Sequence, residues 1–106
     1  MGAPMTPARL GFFRAAAAVP RVKVADCRAN ARRIVALAEE ARRRGAALAV
    51  FPELSVTGYT CGDLFGQPLL LQQAEEALAE ILRRTAGLDL ILVAGVPVPV
   101  ETRLYN

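Results

Sequence analysis

The chain has 106 residues, a formal net charge of +3 and no histidine. That length holds one domain and not two, and a hydrophobic share of 54% excludes wholesale disorder. Lack of histidine removes the commonest acid–base side chain and the commonest metal ligand, and a cofactor-free site built on carboxylate, lysine or cysteine fits what remains.

In chain order, residues 1–8 read as a flexible leader, in which Gly2 and Thr6 make a loose acylation pattern that would anchor only weakly. "FFRAAAAV" (Phe12 to Val19), bounded by Gly11 and Pro20, predicts a first strand. Arg14 interrupts that run, which rules out a signal-peptide core, and no stretch is long enough to span a membrane. Asp26 is an N-cap for a helix from about Cys27 to Arg44, with Ala31, Ile34, Val35, Ala38 and Ala41 on one face and Gly45 as its stop. "ALAVF" (Ala47 to Phe51) is a continuous apolar run of the kind found in parallel strands.

A second helix is predicted from Pro68 to Thr85, its stripe made by Leu70, Leu71, Ala74, Ala77, Leu78, Ile81 and Leu82. "LDLILVAGVPV" (Leu88 to Val98) predicts a third strand, "VPVPV" reads as its closing punctuation, and "TRLYN" opens a further element. Strand, helix, strand, helix, strand specifies an α/β fold with a parallel sheet and right-handed crossovers. Three strands and two helices leave an edge and a face uncovered, so the chain is expected to be a truncated part of a longer domain occupying residues 9–106.

Twelve of the thirteen basic residues are arginines, and three of them, Arg42 to Arg44, are contiguous. Their place just before Gly45 fits a helix C-terminus better than a nucleic-acid patch, because no aromatics interleave with the charge. Neither nucleic acid nor membrane is therefore expected as a partner. Cys27 and Cys61 form neither a metal pattern nor a disulfide framework, and their number fits a reducing, cytoplasmic compartment. The glycines of "TGYTCGD" match no phosphate-binding spacing, and no residue is assigned to a cofactor or a metal.

The chemistry concentrates at "VFPELSVTGYTCGDLF", where an apolar strand ends in Pro52 and Glu53. In open parallel sheets ligands bind beyond the carboxyl ends of the strands. An acid there, above an apolar floor of Val50 and Phe51 that would raise its pKa by desolvation, serves as a general base; the alternative is a loop glutamate that pairs with or caps a neighbour.

"ALAVFPELSVTGYTCGDLF" resembles the segment around the first catalytic residue of the nitrilase, or carbon–nitrogen hydrolase, superfamily, through Phe51, Pro52, Glu53, Gly58 and Tyr59. "TGYTCGDLF" narrows the resemblance to the N-terminal glutaminase domain of the glutamine-dependent NAD synthetase branch. The resemblance implies a portion of an α-β-β-α sandwich and a glutamate–lysine–cysteine triad that hydrolyses the side-chain amide of glutamine. Ammonia then passes to a separate domain that uses ATP and magnesium to amidate deamido-NAD. It further implies a missing remainder of the chain and assembly into a homo-oligomer.

Of the triad only Glu53 maps onto this chain, as the residue that accepts and returns protons. Tyr59 borders the substrate pocket in the resemblance, or else packs beneath its loop. Cys61 falls in the variable part of that loop, Cys27 has no base near it in sequence, and Lys23, the sole lysine, precedes the first helix; none is carried over as a triad member. The isolated chain is thus expected to be inactive. Alternatives are another amidase or carbamoylase of the superfamily, or a non-catalytic α/β module that binds a ligand or partner.

Overall fold

The structure is a computed structural model describing residues 4–106. Residues 1–3 of the expected leader lie outside the described residues, and Pro7–Leu10 form an exposed 3-10 turn. Three strands follow the predicted order: β1 (Ala15–Ala17), β2 (Leu48–Val50) and β3 (Ile91–Val93), each three residues long. They pair in parallel in the order β1-β2-β3, with Ala16 opposite Ala49 and Ala49 opposite Leu92. All three are shorter than their apolar runs because a strand lasts only as long as its partner does. Phe12 and Phe13, in the run predicted as strand, have no such partner and are 70% and 69% exposed.

Helix α1 spans Cys27–Arg43 and α2 spans Pro68–Thr85. The Asp26 carboxylate accepts from the Ala29 N–H at 3.1 Å and so starts α1. Gly45 stops it: at φ 85 its N–H reaches the Arg42 carbonyl, and the next N–H reaches that of Ala41. Arg42 and Arg43 lie in that last turn, where the helix dipole favours cations; Arg42 also pairs with Asp89 at 3.8 Å.

The expected stripe of α1 is buried, and α2 buries Leu70, Ala74, Ala77 and Ile81 against it, while Leu82 stays 71% exposed. With strands added sequentially, right-handed crossovers put both helices on the same side of the sheet. The core accordingly forms on that side, around Ile34, Val35, Ala38 and Ala49, with Ala16 and Leu92 packed against it. The opposite side is bare: Val50, Ile91 and Val93 are 41%, 68% and 49% exposed.

The reading of the last segment is overturned. "VPVPV" is no mere punctuation, because β4 (Val98–Val100) pairs antiparallel with β5 (Arg103–Tyr105). Pro99 is tolerated because this two-stranded ribbon has solvent-facing edges. Glu101 and Thr102 make the connection, with Glu101 at φ 54.

Candidate active site

Glu53 stands at the carboxyl end of the central strand, and its backbone is held on both sides. Phe51 donates its N–H to the Val93 carbonyl at 2.8 Å, extending the β2–β3 ladder past the last strand residue. The chain then turns tightly: the N–H of Ser55 meets the Pro52 carbonyl, and those of Thr57 and Gly58 both meet the Leu54 carbonyl. Leu54 takes φ 55, an uncommon conformation for a residue with a side chain. Val56 returns an N–H to the Gly95 carbonyl at 3.2 Å. Gly95 lies so close beneath that a Cβ there would fall 2.2 Å from the Leu54 nitrogen and 2.9 Å from the Glu53 Cα. The exit of β3 therefore serves as a platform for the acid.

A second clamp comes from α1. Asn30 is fully buried, and its side-chain amide donates to the carbonyls of Lys23 and Val56 at 2.8 and 2.9 Å while accepting from the Lys23 N–H. It ties the segment entering α1 to the turn that carries Glu53, and the Ala25 N–H adds a bond to the Thr57 carbonyl at 2.8 Å. The sequence reading missed this residue. Its signal was there: Asn30 shares a helical face with Cys27 and Ile34, and a polar side chain on an apolar stripe needs partners. Replacing Asn30 with alanine strands the Val56 carbonyl and should cost about 2 kcal/mol. Thermal unfolding should fall by on the order of 10 °C.

The Glu53 side chain itself is exposed, so the apolar floor expected from Val50 and Phe51 does not enclose it: Phe51 is buried in the core and Val50 belongs to the half-exposed strand surface. Its Oε1 accepts from Asn106 Nδ2 at 2.6 Å. Beside this pair is a cavity of about 180 Å3 lined by Leu54, Phe65, Pro97, Leu104, Tyr105 and Asn106. That is smaller than the roughly 300–1,000 Å3 of a complete ligand pocket. Tyr59 does not line it and is 69% exposed. A larger cavity of about 830 Å3 lies between α1 and α2, next to Arg28, Arg32 and Glu80, and includes neither Glu53 nor Tyr59.

The thiols are placed away from solvent. Cys27 is 2% exposed, and burial pushes its thiol above the usual range, with Cys61 and Asp26 adding to the effect. Cys61 is buried and donates to the Thr57 carbonyl at 3.3 Å, bracing the loop. Lys23 pairs with Asp26 at 3.6 Å. Asp26 itself is held below the usual carboxylate range by the Ala29 N–H. Among the described residues no group of three or more histidine, cysteine, aspartate or glutamate side chains gathers to hold a metal, and no helix is long and apolar enough to cross a membrane. A carboxylate with one oxygen bonded can take and return a proton, and its one side-chain partner among the described residues is the Asn106 amide, which is no nucleophile.

Comparison with known proteins bears on the family and the fold. Residues 14–106 match the family model described as carbon-nitrogen hydrolase. A glutamine-dependent NAD(+) synthetase of Mycobacterium bovis is 40% identical over 96 residues, covering 91% of this chain and 14% of the relative. The enzyme of the same name from Aquifex aeolicus is 36% identical over 83 residues, again 14% of its length. The crystal structure of a glutamine-dependent NAD(+) synthetase from Cytophaga hutchinsonii superposes with a TM-score of 0.81 at 29% identity, covering 89% of this chain and 16% of that one. The chain thus corresponds to about one seventh of the relatives it matches. A family model matched over residues 14–106, on an open three-stranded parallel sheet, places this chain in the carbon-nitrogen hydrolase family.

Proposed function

We propose that this chain is the part of a glutamine-dependent NAD synthetase that supplies the proton-handling acid for glutamine hydrolysis. The observation that carries the reading is the match to relatives of that name along 91% of the chain. Glu53 accepts the proton of a cysteine thiol supplied by the remainder of the protein. The thiolate attacks the side-chain carbonyl carbon of glutamine, and a lysine from the same remainder stabilises the oxyanion. Collapse breaks the C–N bond, Glu53 returns its proton to the leaving ammonia, and a thioester forms. Water then adds to the thioester, giving one proton to Glu53, and glutamate and the thiol are regenerated as that proton is returned.

Tyr59, exposed on the loop after Glu53, faces the incoming glutamine in this reading. ATP and magnesium act in a separate part of the protein, where ammonia amidates deamido-NAD, and no step on this chain passes through them. The exposed Leu69 and Leu82 of α2 are available for contacts within a homo-oligomer, and two free thiols support the cytoplasm as the site of action.

The test is ammonia release from glutamine. The natural polypeptide that carries these residues should release it, whereas the 106-residue chain alone should not exceed a Glu53→Ala control. Glutamine turnover by the isolated chain, or none by the natural polypeptide, would overturn the assignment.

A further inference from the structure

We propose that Asn106 is a positioning residue for Glu53, holding one carboxylate oxygen so that the other is aimed at the reacting groups. The inference rests on the proposed hydrolase reading for its kinetic consequence, but its geometric content stands on the structure.

Backbone constraints fix where Glu53 starts and leave open where its carboxylate ends. The Gly95 platform and the Leu54 turn set the Glu53 Cα. Beyond the Cα the side chain crosses several rotatable bonds into solvent, and ordering such a chain has an entropic cost that the catalytic event would otherwise bear. The hairpin supplies the missing restraint. Val98 lies opposite Tyr105 in the β4–β5 register, so Asn106 comes back beside Pro97, two residues beyond the glycine that touches Glu53. From there its Nδ2 donates to Glu53 Oε1 at 2.6 Å, across 53 positions of sequence.

Chemistry suits the task. A carboxamide is neutral and donates without offering a proton that glutamate could remove, so the acid keeps its capacity as a base while losing freedom of direction. A charge-assisted bond of this kind is stronger than one between neutral groups. Asn106 also lines the 180 Å3 cavity with Leu54 and Phe65, so it stands between the acid and the adjacent space.

Two variants and two readouts test this in the natural polypeptide that carries the chain. Asn106→Ala should lower kcat for glutamine hydrolysis about tenfold with KM within about twofold, the cost of one lost charge-assisted bond felt in the reacting complex. Asn106→Asp, of the same size but presenting a second carboxylate, should lower it at least as far. A crystal structure of Asn106→Ala should show the Glu53 carboxylate displaced or spread over several positions, with the backbone of residues 52–58 unmoved.

An unchanged kcat in both variants overturns the proposal, as does a Glu53 carboxylate that keeps its position without the amide. Displacement of the 52–58 backbone also overturns it, because Asn106 would then be merely structural. If the unaltered polypeptide fails to hydrolyse glutamine, the hydrolase reading falls, and the crystal structure alone decides whether Asn106 directs Glu53.

Discussion

In the natural polypeptide that carries the chain, Glu53→Gln should, on the proposed hydrolase function, lower glutamine hydrolysis by roughly a hundred- to ten-thousand-fold, the usual worth of a placed proton acceptor. The substitution is close to isosteric, and a glutamine carbonyl oxygen still accepts from Asn106 Nδ2, which now meets Glu53 at 2.6 Å. Position and hydrogen bonding are thus kept while the basic oxygen is removed. Because the residue is exposed and forms no part of the core, thermal unfolding should shift little. The loss should therefore appear in kcat and not in the amount of folded protein. Activity within a few fold of the unaltered polypeptide would show that another group carries the proton.

Gly95→Ala should be damaging in both respects at once. The new Cβ would sit 2.2 Å from the Leu54 nitrogen and 2.9 Å from two Glu53 backbone atoms. Those neighbours are backbone, not the ends of flexible side chains, so the strain cannot be relieved by a rotamer change. The turn must lift from the exit of β3, stretching the bond from the Val56 N–H to the Gly95 carbonyl. A cost of about 3 kcal/mol is expected, at the upper end of overpacking effects, which lowers the unfolding temperature by on the order of 15 °C. Moving the Glu53 Cα should also suppress hydrolysis in whatever fraction stays folded. Gly66→Ala and Gly87→Ala are the controls, since a Cβ at either position meets nothing within 4 Å. If Gly95→Ala behaves like them, the platform has no role.

Much of this architecture was legible because it depends on local rules. Asp26, Gly45 and Pro68 mark helix ends by hydrogen-bonding and backbone preferences that act within a few residues, and the structure keeps those ends within a residue of their expected places. Parallel order followed from the alternation of elements. The strand limits did not, because they are set by partners distant in sequence: Phe12 and Phe13 have strand chemistry and nothing to pair with.

The "VPVPV" segment failed for a related reason. Its prolines advertise a break, yet a two-stranded ribbon leaves donor-free positions at its edges, so Pro99 pairs across to Leu104. At the site, the position of Glu53 was readable from the end of an apolar run, whereas the partners its supports reach were not. Asn30 reaches Val56 across 26 positions and Asn106 reaches Glu53 across 53. Gly95 is one small residue in an apolar run until the approach of Leu54 is known.

The hairpin has a consequence for the order in which the acid acquires its supports. Of the three residues that brace the acid, Asn30 precedes it in the chain while Gly95 and Asn106 follow it, and a nascent chain emerges in that order. Glu53 therefore leaves the ribosome ahead of two of its three braces, and its carboxylate gains its partner only once the second strand of the ribbon has followed.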